Sequence, residues 1–121
     1  KIAEAGAITP LTALLEDSDH QVRQNAAGAL GALSSYSDEN KVQIAEAGAI
    51  PPLIELLKDS ELLVKQNAAW ALSHLAKNAA NQETIKSEIS RHKDKALIRS
   101  NLSSLAADND WVQGLLDLID S

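Results

Sequence analysis

The chain has 121 residues, 17 Asp/Glu against 11 Lys/Arg for a net charge of −6, and no Cys, Met or Phe. That length fits one domain with a modest core, and the absence of cysteine excludes disulfides and thiolate metal sites. The negative charge argues against general binding to nucleic acid or anionic membrane and favours a basic peptide or protein surface as partner. No apolar run approaches the roughly 20 residues of a membrane span, so no membrane insertion is expected, and no signal-like segment opens the chain. A cysteine-free chain is compatible with a reducing compartment; the expected location is the cytoplasm, with the nucleus open. A start without Met, inside a repeat, points to a fragment of a longer chain.

The stretch Ile-Ala-Glu-Ala-Gly-Ala-Ile occupies residues 2–8 and again 44–50, and a gapless alignment of 2–35 with 44–77 gives 21 identities in 34 positions. A period of this length marks a repeat architecture, whose units cannot cover their own apolar faces and must stack.

In chain order, Gly6 is expected to close a truncated first helix and Pro10 to start a second, filled by Leu11, Leu14 and Leu15. Ser18 is expected to cap a third helix, with Gln21 completing a capping box. Val22, Ala26, Ala29, Leu30 and Leu33 form its apolar stripe. The second copy reads more fully. A first helix over 38–47 ends at Gly48, and a second over 49–58 carries Pro51 and Pro52 in its first turn. A third helix over 61–77 follows Ser60 as cap, with Leu63, Val64, Ala68, Ala71, Leu72 and Leu75 at helical spacing. The alanines on these stripes let successive third helices stack closely.

Residues 79–121 depart from the 42-residue plan. The expected helices are 81–89 with Asn81 as cap, 93–107, and 110–120 after Asn109. The last is apolar over much of its surface through Trp111, Val112, Leu115, Leu116, Leu118 and Ile119. Two readings fit: a divergent repeat capping the stack, or a segment pairing with another chain through Trp111, Leu115, Leu116 and Ile119. The basic run Lys86, Arg91, Lys93, Lys95 and Arg99 reads as a solvated helix face.

Period and pattern alone imply an all-α solenoid. The unit I-A-E-A-G-A-I-P-P-L-x-x-L-L, followed by an acidic turn and V-K-Q-N-A-A-W-A-L-S-H-L-A, resembles the armadillo repeat over residues 1–78. The resemblance implies a right-handed superhelix of three-helix repeats, with third helices lining a groove for extended peptides or protein segments. On this reading 1–36 is one armadillo repeat, 37–78 a second, and 79–121 a divergent helical segment.

In peptide-binding members of the importin-α type, a Trp on the third helix and an Asn four residues later hold the peptide. Trp70 matches the Trp position, while the Asn position is His74. Asn67, Trp70, His74 and Asn78 fall on one helix face. In the first copy the matching positions are Asn25, Gly28, Ala32 and Tyr36, so the ladder is nearly absent there. The groove residues expected to bind a partner are therefore Trp70, Asn67, His74, Asn78 and Asn25, although Asn25 and Asn67 equally fit a role in fixing the stacking. Arg23 and Lys65 are expected on a solvent-facing rim.

No catalysis, cofactor or metal is expected. His20, His74 and His92 form no ligand pair, and there is no nucleophile elbow or phosphate loop. Asp108-Asn109-Asp110 opens like a calcium loop, but Gln113 and Ile119 stand where Gly and Glu are required. The expected function is a protein-interaction module binding an extended segment, with basic residues in the partner. The alternatives are an oligomerisation unit using the C-terminal helix, or the substrate-binding part of a larger protein such as a ubiquitin ligase.

Overall fold

The computed structural model describes residues 2–121, with side chains from Gly6 onward. Among the described residues eight α-helices follow in order: α1 (Ile2–Leu14), α2 (His20–Tyr36), α3 (Asp38–Glu46), α4 (Ile50–Leu56), α5 (Leu62–Leu75), α6 (Ala79–Ser90), α7 (Lys95–Ala106) and α8 (Gln113–Asp120). A 3-10 turn, Asp110–Val112, leads into α8, and no strand occurs among the described residues. None of the described helices is long and apolar enough to cross a membrane.

The second copy forms the three helices its sequence predicts. Gly48 sits at φ +85, in the left-handed region where a side chain is strained. Ala49 N–H donates to Ile44 C=O at 3.3 Å and closes the turn between α3 and α4. Pro51 and Pro52 lie at the start of α4, where no intrahelical donor is needed.

The first copy corrects the expectation. The same seven residues run straight through Gly6, and α1 is one helix with Pro10 inside it. The reason lies three positions beyond Gly. In a continuous helix both residues after the second isoleucine would donate an N–H to the preceding turn. Pro51-Pro52 supplies neither, whereas Thr9-Pro10 lacks only one. One missing bond is tolerated within a helix; two in succession end it.

The caps also differ. Asp19, not Ser18, is the N-cap of α2, and its Oδ1 accepts from Gln21 N–H at 2.9 Å. Gln21 thus contributes its backbone, not a capping-box side chain. At α5 the turn is made by Asp59 Oδ2 accepting from Glu61 N–H at 3.0 Å, and Ser60 caps nothing. A carboxylate is the stronger acceptor and displaces the hydroxyl at both turns. Asn78, not Asn81, caps α6. Asn81 is buried, and its Nδ2 donates to Lys41 C=O at 3.1 Å. Leu63 lies outside the stripe at 51% exposure. It takes the register position of Gln21, which is exposed as well.

The core is one continuous cluster. It includes Leu30 of α2, Ile44 of α3, Leu53 and Leu57 of the α4 region, Leu72 of α5, Ile85 of α6, Leu102 of α7 and Leu115 of α8. Helices α2 and α5 form its main seam. They approach closely because Gly31 faces α5: a Cβ there would sit 3.4 Å from Ala71 Cα. Polar ties cross the units at similar sequence separations. Asn67 Nδ2 donates to Gln24 C=O at 3.0 Å, and Asn101 Nδ2 donates to Leu57 C=O at 2.8 Å. Arg23 is not on a solvent rim: it pairs with Asp59 at 2.9 Å and donates to the carbonyls of Asp17 and Ser18. It therefore clamps the α1–α2 turn to the α4–α5 turn.

Residues 79–121 continue the plan. α6 packs on α3 and α4, α7 follows, and the 3-10 turn with α8 packs on α5. The Asp110–Asp120 stretch thus stands where a third helix stands, and α7 takes the place of a second.

Candidate functional site

Helices α2, α5 and α8 stand side by side, but the two seams differ. At α2–α5 the residues of α2 toward α5 include Gly28 and Gly31, and the helices meet along their length. A 42-residue shift puts Trp70 and Ser73 at those positions on α5. Bulk there holds α8 away, and α8 is only 8 residues long against 14 for α5. The result is an open cleft of about 640 Å³ between α5 and α8, lined mainly by Trp70, Ser73, His74, Trp111, Leu115 and Leu118. Lys77 and Asp117 stand at its polar edge. That volume lies within the range of small-molecule and side-chain pockets.

Trp70 is half-buried. Its indole lies over Gly31, where an added Cβ would come within 2.4 Å of Cε3. On its other side it meets His74 edge-on, with ring centroids 5.0 Å apart at 84°. Burial, followed by the charges of Lys77 and Lys41, pushes the His74 pKa below its usual value. The imidazole is therefore neutral at pH 7, with one ring nitrogen to donate and one to accept.

The other expected groove residues are not gathered around Trp70. One Asn67 N–H is taken by the Gln24 carbonyl, which ties α5 to α2. Asn78 caps α6 and donates to the Asp38 carboxylate at 3.1 Å, so it serves the α3–α6 junction. Asn25 is exposed on α2. Of the residues considered for pairing between chains, Leu115 and Leu116 lie in the chain's own core, Ile119 is half-buried and Trp111 is 37% exposed. Trp111 instead faces Trp70 across the cleft.

Two residues of the basic run, Arg91 and Arg99, are paired on the surface, and a further set of ion pairs around Lys58 and His92 lies beside them. Lys58 Nζ sits 2.9 Å from Asp94 Oδ2 and 3.0 Å from Glu55 Oε1, and Glu55 also bonds His92 Nε2. Asp94 N–H donates to His92 Nδ1 at 2.9 Å. Arg91 pairs with Glu88 and Arg99 with Asp120. The His92 bond and then Lys58 hold the Glu55 carboxyl below its usual range, and the Lys58 bond does the same for Asp94.

Comparison with known proteins agrees with this architecture. Residues 37–77 match the family described as Armadillo/beta-catenin-like repeat, and residues 1–33 match HEAT-like repeat. No curated protein sequence matches. Among solved structures, a designed armadillo repeat protein superposes with a TM-score of 0.78 at 27% identity, over 97% of this chain and 48% of that one. An engineered protein gives 0.74 at 32% identity, over 94% and 46%. A designed armadillo repeat protein in complex with peptide (KR)4 gives 0.67 at 26% identity, over 97% and 54%. The chain spans about half the length of these proteins. Its fold is that of an armadillo-type all-α solenoid, with an armadillo repeat matched at residues 37–77.

Proposed function

We propose that the chain is a protein-interaction module that binds an extended peptide or protein segment along α2, α5 and α8. The observation that carries this reading is the cleft between Trp70 and Trp111, two indoles with a neutral His74 beside them. Trp is a favoured anchor residue at interfaces. Trp70 and Trp111 hold an aliphatic stem or ring from the partner, and His74 meets a polar group next to it. Exposed Asn25 serves the partner's main chain. The partner carries Lys or Arg: the net charge is −6, Asp108, Asp110 and Asp117 are exposed on the α8 side, and a similar designed protein is complexed with (KR)4. Asn67 and Asn78 contribute indirectly, by fixing the helices that frame the groove.

The test is a fluorescence titration of the chain with (KR)4 and with the same peptide carrying a central leucine. Trp111→Ala is expected to weaken binding about tenfold or more, the size of an anchor residue's loss. Trp70→Ala does the same, with an added cost in stability because the ring fills the space over Gly31. Unchanged affinity in both variants, or no binding by the parent chain to either peptide, refutes the groove reading.

A further inference from the structure

His74 stands inside the cleft, half-buried among its lining side chains, and meets the Trp70 indole edge-on with ring centroids 5.0 Å apart. The other two histidines are engaged elsewhere, His20 at 4.0 Å from Glu61 and His92 with Glu55. In the first unit the register position is Ala32, which does not titrate. The group of the groove that responds to protons near neutral pH is therefore His74, and it touches the anchor ring itself.

The charges around it come from several elements. Lys77 of α5 and Lys41 of α3 both oppose its protonation, and burial opposes it more strongly. Across the cleft, α8 brings the Asp117 carboxylate, which accepts from Gln113 Nε2 at 3.0 Å. The 3-10 turn brings Trp111, next to exposed Asp110. The α6 residue in the cleft is uncharged Gln82. Helix α2 has nothing ionisable between Arg23 in its first turn and Tyr36, its last residue. Among the described residues α4 and α7 contribute no side chain to the cleft.

The two states of His74 receive a cation in opposite ways. The neutral ring has one unprotonated nitrogen, an acceptor for the N–H of a partner's ammonium or guanidinium. The protonated ring has two donors and no acceptor. Protonation also sets a cation beside the indole, the surface on which the partner's own cation is to sit. An imidazolium further competes for the Asp117 carboxylate across the cleft. All three changes act in one direction.

We infer that His74 makes the grip of this cleft on a basic segment proton-dependent, admitting the partner's Lys or Arg when neutral and expelling it when protonated. This regulation rests on the groove reading above and acts at the same site. Burial and then the two lysines hold the His74 pKa below the ordinary 6.5, so the neutral, binding form prevails at pH 7 and release belongs to more acidic conditions. By linkage, a bound cation in turn makes His74 harder to protonate.

The experiment is the fluorescence titration with (KR)4, repeated from about pH 8 to about pH 5, a range in which lysine and arginine keep their charge. The dissociation constant of the parent chain is expected to rise about threefold or more on acidification, the repulsion of two unit charges roughly 6 Å apart in water. The change is expected to centre below pH 6.5. His74→Gln keeps an uncharged polar side chain and is expected to show no such rise, whatever its affinity at the alkaline limit. His20→Gln is expected to show the parent's rise. A parent whose affinity is level across the range overturns the inference. So does a rise of this size that persists in His74→Gln or disappears in His20→Gln. Absence of binding at every pH refutes the groove reading itself and this regulation with it, an outcome distinct from binding that ignores pH.

Discussion

Gly31→Ala tests how closely α2 and α5 approach. In an isolated helix this change is favourable by roughly 0.5–1 kcal/mol, because alanine has less backbone entropy to lose. Here the new Cβ would meet Trp70 Cε3 at 2.4 Å and Cζ3 at 2.7 Å, while Ala71 Cα at 3.4 Å is an ordinary contact. The conflict is therefore with one ring. Displacing it costs roughly 1–3 kcal/mol, the range for overpacking a core, and the net effect is a loss of about 0–2.5 kcal/mol. With Trp70→Ala the obstacle is gone, and Gly31→Ala should then stabilise by about 0.5–1 kcal/mol. The coupling between the two changes is thus about 1–3 kcal/mol. Urea unfolding of the parent, both single variants and the double variant measures it, and Trp fluorescence reports whether the ring has moved into water. A stabilising Gly31→Ala in the presence of Trp70, or the same effect in both backgrounds, would refute the close-approach argument.

The two copies of Ile-Ala-Glu-Ala-Gly-Ala-Ile should answer a glycine replacement with opposite signs. Gly6→Ala lies inside a helix with open space around its Cβ position and should stabilise by about 0.5–1 kcal/mol. Gly48→Ala must hold φ +85 and should destabilise by about 1–2 kcal/mol, read from thermal or urea unfolding. The chain should also lose stability on acidification. Glu55, Asp94 and Asp120 all have folded pKa values below their ordinary 4.5, 3.8 and 3.8, so the unfolded state binds more protons as pH falls. Their contribution is complete above those values and lost as pH drops through the lower folded ones. Melting temperatures between pH 7 and 3 should fall below about pH 4.5, and Lys58→Met should flatten the decline. An unchanged slope in Lys58→Met would remove the Lys58 cluster as its cause.

The candidate site was partly legible beforehand. Trp70 and His74 stand together because helical spacing alone sets residues four apart on one face. Asn67 and Asn78 share that spacing, yet each is drawn off by a neighbour, the Gln24 carbonyl and the Asp38 carboxylate. Those partners lie 43 and 40 residues away. No pattern within one helix reveals which side-chain amide is free.

The sequence by itself determined the repeat, the helical class and the helix order of the second unit, because Gly48, Pro51-Pro52 and the apolar spacing act within a turn or two of the backbone. It could not decide the fate of the first heptapeptide by that heptapeptide alone: one proline beyond it keeps the helix intact, and two break it. Only the tertiary structure made Arg23 a clamp, turned Leu115 inward and set Trp111 opposite Trp70, 41 residues along the chain. Those outcomes depend on how near one helix can come to the next. Two glycines bring α2 and α5 together, while an indole and a short last helix leave α5 and α8 apart. Such distances arise between units, where local propensity carries no information.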